Sequence, residues 1–494
     1  MKIRFLILYI LLIPIAGNSQ GYIIRSIKYF GAKGNGISDD QDAFKKASEY
    51  FNKRKGNGKL VIPKGIYIIG RQKFTGNDIK KNTASYTCEY ALDIRNCNNF
   101  FIEGKPGAVL KTRDSLRIGT FSPVTGKPYK HEIRDINVKQ GFGHYPTTVG
   151  ITIYVLNSSN INISGLRLDG NFEKFILGGN WGNGRNAYEL IHYGIYLIDT
   201  HDVTIRNCSI YKFACDGIYI ANLGKEVKTY KISVDNCKVN YCGRNGLSWL
   251  GGDNIRVTNS EFSNAGKGLI HESPAAGIDI EVENNSFCRN GFFYNCKMIN
   301  NTGSGITSGS AKLSSNVMFK RCTVASPGYY TVFADAASHV FVDCKLYGTV
   351  LVWYRASKDS DAVKFIHCTF EENYRGKKMY DGSYQLGIEG TAAVVDSCTF
   401  KAYTTANYYL KGLTDDCSND NKQKIRISNN RFYSYANEIK LAPNTAGIAG
   451  HTVFNNNRFY ALPGVVFQNG FNGNCNADAG GNKFYEISRV VNVK

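Results

Sequence analysis

The chain has 494 residues, 60 Lys and Arg against 40 Asp and Glu, and a formal net charge of +20 at pH 7. Fifty-one Gly, 10 Pro and 13% aromatic residues favour turns and strands and exclude a mainly helical protein. No Cys/His spacing resembles a zinc site, and no segment resembles a nucleic-acid-binding module, so the basic charge alone does not predict a nucleic-acid partner.

The first element is a leader. Lys2 and Arg4 precede an apolar run from Phe5 to Ile15, followed by the small residues Ala16, Gly17 and Ser19. This predicts a signal peptide over residues 1–19, cut near Ser19–Gln20, and a secreted or periplasmic product. The run is too short to span a bilayer, and no Cys follows it to carry a lipid. No later segment approaches transmembrane length, so membrane insertion is not expected. Loss of Lys2 and Arg4 lowers the charge from +20 to +18.

The next stretch, Phe30-Gly-Ala-Lys-Gly-Asn-Gly-Ile-Ser-Asp-Asp40, leads into a helical pattern from about Gln41 to Lys53. Ser38 and Gln41 stand at capping-box spacing, and Gly58 to Tyr67 reads as a strand closing into a turn. Together these segments resemble the opening of the pectate-lyase-like superfamily. The resemblance implies an all-β fold: a single right-handed parallel β-helix over residues 20–494, with a short helix capping its first coil at about 26–70. Rhamnogalacturonases, polygalacturonases, lyases, epimerase-like proteins and phage tail spikes share this opening, so it speaks to fold and hardly to chemistry. Asp39 and Asp40 sit at a helix N-terminus, which favours carboxylates for structural reasons.

Two departures follow, at about 105–150 and 169–192, and are expected to be surface insertions of the kind that build a binding face. The first is basic, with Arg113, Arg117, Lys127, Lys130, His131 and Arg134. The second carries Trp181, Arg185 and His192, Trp181 being a candidate sugar-stacking platform.

From Cys208 onward one short pattern recurs eleven times: a small residue, an outward polar one, then a large apolar one. The copies start at Cys208, Cys237, Ser260, Cys296, Cys322, Cys344, Cys368, Cys398, Asn430, Asn457 and Asn482, at intervals of 22 to 36 residues. Such a period without an internal helix predicts stacked coils of a parallel solenoid. Positions i and i+2 of a strand share a face, so the small and large residues point inward. The seven Cys of this column are expected to be a ladder of buried thiols, while Cys215–Cys242 and Cys417–Cys475 are candidate bridges.

A second strand of each coil aligns on a glycine: Tyr193-Gly, Asp216-Gly, Asn245-Gly, Ala276-Gly and Ser304-Gly. Two residues beyond it stands an outward column of Tyr196, Tyr219, Ser248, Asp279 and Thr307. In Gly277-Ile-Asp-Ile-Glu-Val-Glu283, alternation predicts Asp279, Glu281 and Glu283 on one face, about 6–7 Å apart. That approaches the separation of catalytic carboxylates in glycosidases, roughly 5–5.5 Å for retention and 6.5–9.5 Å for inversion. The longest interval contains this strand and the loop Ile270-His-Glu-Ser-Pro274 before it, with Asp216 and Asp253 within a coil or two.

Polygalacturonase-type hydrolases carry Asn-Thr-Asp-Gly, an Asp pair one coil later, Gly-His-Gly and Arg-x-Lys. Only Asp216-Gly217 matches; Arg244-Asn245-Gly246 stands where the Asp pair belongs. The first expectation is therefore a glycoside hydrolase with its acids arranged differently: Asp279 and Glu281 catalytic, Asp216 assisting. Tyr196, Tyr219, Trp249, Arg244, Trp181 and Lys267 would bind a polysaccharide, acidic if the basic charge is a guide. The alternative is a lyase, with Ca²⁺ on Asp279, Glu281 and Glu283 and Arg244, Lys267 or Arg289 as base. A third is a glycan-binding protein without catalysis.

Overall fold

A computed structural model describes residues 21–486 apart from 79–82, 131–142, 145–146, 180–187, 329, 357, 380–383, 390–391, 404–407, 412–424, 436–438, 441–451, 464–466 and 469–479. The leader-like segment, Trp181, Arg185, His131, Arg134, Cys417 and Cys475 lie outside these residues.

The chain winds into a parallel β-helix whose coils each contribute three short strands. Two faces merge into one 23-stranded sheet, and the third is a separate 15-stranded sheet. The eleven sequence repeats are the last eleven strands of that third face, paired in parallel register from Ser209 to Lys483. Among the described residues no helix is long and apolar enough to cross a membrane.

The repeat works because each of its positions meets one demand of the coil. The residue before each small one turns the corner with a positive φ, as at Asn207, Asn236, Asn259, Asn295, Asn429 and Asn456. Asn tolerates that backbone better than most side chains. These amides also bond to one another between coils, Asn236 Nδ2 donating to Asn207 Oδ1 at 2.8 Å and Asn295 Nδ2 to Asn259 Oδ1 at 2.9 Å. The apolar positions stack: Phe370, Phe400, Phe432, Phe459 and Phe484 succeed one another at 4.5 to 4.9 Å. That is the strand spacing of the sheet.

The small position sits inside the corner, where its own N–H has no strand partner. Ser260 Oγ accepts from Cys237 N–H at 3.0 Å, and Asn430 Oδ1 from Cys398 N–H at 2.8 Å. Asn457 and Asn482 continue this, each accepting at 2.9 Å from the N–H one coil earlier. The seven column cysteines are buried free thiols, and Cys215 and Cys242 are separate thiols too. Burial pushes the Cys344 and Cys368 thiols well above their ordinary range.

At the N-terminal end, helix α1 (Gln41–Lys53) covers the first coil with Phe44 on Tyr67 and Phe51 on Phe100, ring centroids 5.8 and 4.4 Å apart. The expected capping box does not form. Asp40 is the N-cap residue, and its carboxylate accepts from Lys33 N–H at 2.6 Å and Gly34 N–H at 3.0 Å. Gln41 reaches the next coil instead, donating to Tyr90 O and accepting from Gly70 N–H, both at 2.9 Å. Asp39 pairs with Arg71 and Arg113 at 2.9 and 2.7 Å. Within the first departure, Ala108–Thr112 is a regular rung, and Arg117–Gly119 pairs with Ile176–Gly178 of the second.

Candidate active site

The glycines that align the second strand stand where neighbouring coils come closest. A Cβ at Gly246 would lie 2.7 Å from Gly277 O, and one at Gly277 the same distance from Gly305 O. The residue before each glycine therefore enters the wall at a fixed height, and the residue two after it faces out. In register that outward column runs Asp93, Tyr154, Tyr196, Tyr219, Ser248, Asp279, Thr307 and Phe333.

Its centre is a buried polar network. Arg244 Nε and Nη2 donate to the two oxygens of Asp216 at 2.9 and 2.7 Å. Asn245 N–H and Ser248 Oγ add further bonds to the same carboxylate, both at 2.9 Å. Asp216 is fully buried, and four donors occupy its oxygens. The side chain of Asn245 donates to Ser248 Oγ at 3.0 Å and to Asp279 Oδ2 at 3.1 Å. Burial first, and then the Glu281 charge, push the Asp279 carboxyl up to about 8. Asp279 is 5% exposed.

The expected three-carboxylate strand is shorter than alternation suggested. It spans only Ile278–Ile280, so Glu281 and Glu283 fall in the connection that follows. Glu281 is exposed there, and Glu283 Oε2 accepts from Tyr219 Oη at 3.2 Å. Among the described residues no group of three or more His, Cys, Asp or Glu is placed to hold a metal ion.

The tyrosines form a ladder along the solenoid axis. Tyr196 and Tyr219 stack at 4.0 Å with planes 10° apart; Tyr154 follows Tyr196 at 5.8 Å, and Tyr90 follows Tyr154 at 5.1 Å. Tyr193 meets both Tyr196 and Tyr219 edge-on. Between Tyr196 and Tyr219 the facing rings are spent on each other, so this pair offers hydroxyls and edges more than open stacking faces. Tyr154 escaped glycine alignment because Thr152, not glycine, pairs at the level of Gly194. At its far end the ladder opens on a cleft of about 470 Å³ lined by Tyr90, Asp93, Lys45 and Glu89.

Other expected ligand contacts are placed differently. Trp249 is fully buried in the core, because the third residue after the glycine faces inward. It does not reach a substrate. Arg244 is held by Asp216, and Arg289 by Asp253 at 2.8 Å on the adjoining face. Lys267 is exposed on the loop before Asp279. His192 is buried, accepts from Ala214 N–H at 3.1 Å, and is pushed down by burial to about 3, so it is neutral.

Residues 64–287, 153–349 and 270–411 match the family model described as right handed beta helix region. The N-terminal fragment of bacteriophage phi29 gene product 12 superposes with a TM-score of 0.55 at 15% identity, over 93% of this chain and 70% of that one. The pre-mature form of the same phage protein gives 0.53 at 14%, over 92% and 56%, so the chain spans little more than half of it. The A-module of the Azotobacter vinelandii mannuronan C-5 epimerase AlgE6 gives 0.41 at 14%, over 93% and 99%. At these identities the two phage structures show the fold alone. No curated protein sequence matches the chain.

Proposed function

This chain belongs to the right-handed β-helix family, and from that premise we propose that it is a polysaccharide-cleaving enzyme, a glycoside hydrolase, with Asp279 as its general acid. The observation that carries this reading is a buried carboxyl, pushed up to about 8, on the outer wall beside a second carboxylate, Glu281. Buried carboxyls shifted this far cluster at functional sites, and glycosidic cleavage needs one to protonate the leaving oxygen. Asn245 orients the carboxyl by donating to one oxygen, leaving the other for the proton and the substrate.

Glu281 stands in for the second carboxylate, attacking the sugar carbon or activating a water. Asp216 has a different part from the one its sequence suggests. With four donors on its oxygens it takes no substrate proton; it fixes Arg244, Asn245 and Ser248, and through Asn245 it positions Asp279. The tyrosine hydroxyls leading to this point supply hydrogen-bonding partners for sugar hydroxyls. The leader-like residues 1–19 put the substrate outside the cytoplasm.

The test is to incubate the protein with acidic and neutral polysaccharides while following reducing ends and unsaturated-uronate absorbance together. New reducing ends without the absorbance are expected. Both signals rising together would replace hydrolysis by elimination.

A further inference from the structure

The wall that carries Asp279 continues past it, and its edge holds an indole outside the carboxylate network. Ile280 pairs with Ser308, Ser308 with Ala334, and Ala334 with Val352. The next residues of these four coils, one step beyond the last paired positions, are Glu281, Gly309, Asp335 and Trp353. Trp353 N–H bonds to Ala334 O at 2.8 Å, which ties it to the coil of Asp335, and Glu281 N–H bonds to Trp249 O of the preceding coil at 3.2 Å. Trp353 is 46% exposed. Gly309 leaves an open floor, since a Cβ there would meet nothing within 4 Å. Asp335, half-buried, lies on the coil between those of Gly309 and Trp353.

We propose that Trp353 is a sugar-stacking subsite for a glycan chain laid along the solenoid axis, with Asp335 hydrogen-bonding the hydroxyls between it and Glu281. A single exposed apolar side chain is ordinary on a protein surface. Here the indole follows the same wall as a candidate catalytic carboxylate, three coils on, with a second carboxyl and an open glycine on the coils between. An indole face suits the C–H face of a pyranose, and carboxyls suit its hydroxyls. Three coils separate Glu281 from Trp353, about 14 Å at the strand spacing of a sheet. That is longer than one sugar ring, so the substrate is a polymer or long oligosaccharide held across several units. The inference rests on reading Asp279 and Glu281 as the catalytic pair, and it assigns the side of that pair on which the chain extends.

The test separates binding from cleavage. Affinity electrophoresis in gels containing laminarin, hydroxyethyl cellulose, chitosan, alginate or polygalacturonate is run for wild type, Trp353→Ala and Trp353→Phe, each also with Asp279→Asn. Thermal unfolding confirms that each variant is folded. Expected is retardation by at least one polymer, weakened about five- to tenfold by Trp353→Ala and largely restored by Trp353→Phe, with or without Asp279→Asn. On a cleaved polymer Trp353→Ala should raise KM by a similar factor and move kcat far less. Equal retardation of wild type and Trp353→Ala, or retardation by none of the polymers, overturns the subsite. Loss of retardation in Trp353→Ala without cleavage by wild type would keep the subsite and remove the catalytic reading. Cleavage by wild type with an unchanged KM in Trp353→Ala would do the reverse.

Discussion

Asp279 keeps its proton because the wall around it offers one amide donor and little water, while Glu281 adds a like charge. Two consequences follow. Asp279→Asn preserves shape and the contact with Asn245 but removes the acid, so turnover should fall by about 10²–10⁴ while glycan retention in gels persists. The pH dependence has a definite sign. A carboxyl raised from 3.8 to about 8 binds its proton in the folded state where the unfolded chain has lost it. The folded state is therefore penalised progressively as pH rises from about 4 to about 8. Activity should decline through about pH 8, and Asp279→Asn should gain thermal stability relative to wild type at alkaline pH but not at pH 4. Asp216 behaves oppositely as a structural group: Asp216→Ala strands a buried guanidinium and should cost about 3–5 kcal/mol in denaturant unfolding. These acids were visible in the sequence as Asp-Gly and Ile-Asp-Ile. Their division of labour was not, because it depends on which donors neighbouring coils bring to each carboxylate.

Elements in this fold are short, and most departures from the expected site have that cause. A three-residue strand such as Ile278–Ile280 supports alternation for one outward position only. Extending the pattern to Glu281 and Glu283 carried it past the strand end. Within its strand Trp249 points inward and is fully buried, whereas Trp353, just beyond Val350–Val352, is 46% exposed. The third face was more legible. There the Cys/Asn-x-Phe pattern repeats with each corner, and corner chemistry depends on one residue at a time. In the last coils Asn457 both accepts from Asn430 N–H and donates to Ile427 O at 2.9 Å. Asn457→Ala leaves both groups without that partner inside the corner, so chemical denaturation should show a loss of about 1–3 kcal/mol.

The whole molecule is a stack in which each coil contacts chiefly its neighbours, so it is stabilised by repetition of the same corner and the same apolar column. This is why a chain with 14 Cys needs no bridges in its column. The seven column thiols should resist iodoacetamide in the native protein and label fully after denaturation, as mapped by mass spectrometry. Labelling of the folded protein would contradict the buried ladder. Fold and coil period were readable because repetition multiplies a weak signal. The site was only partly readable, since its groups come from several coils and meet only after stacking. Net charge alone does not locate a binding face at this scale: Arg244 and Lys45 are paired with Asp216 and Glu89, while Lys267 beside the site is exposed. The most direct measurement of the central claim is reducing-end release by wild type and Asp279→Asn, side by side on each polymer that retards both proteins. Cleavage by wild type and its near-abolition in the variant, with retardation unchanged, is the predicted result. Equal cleavage by the two would contradict Asp279 as the acid.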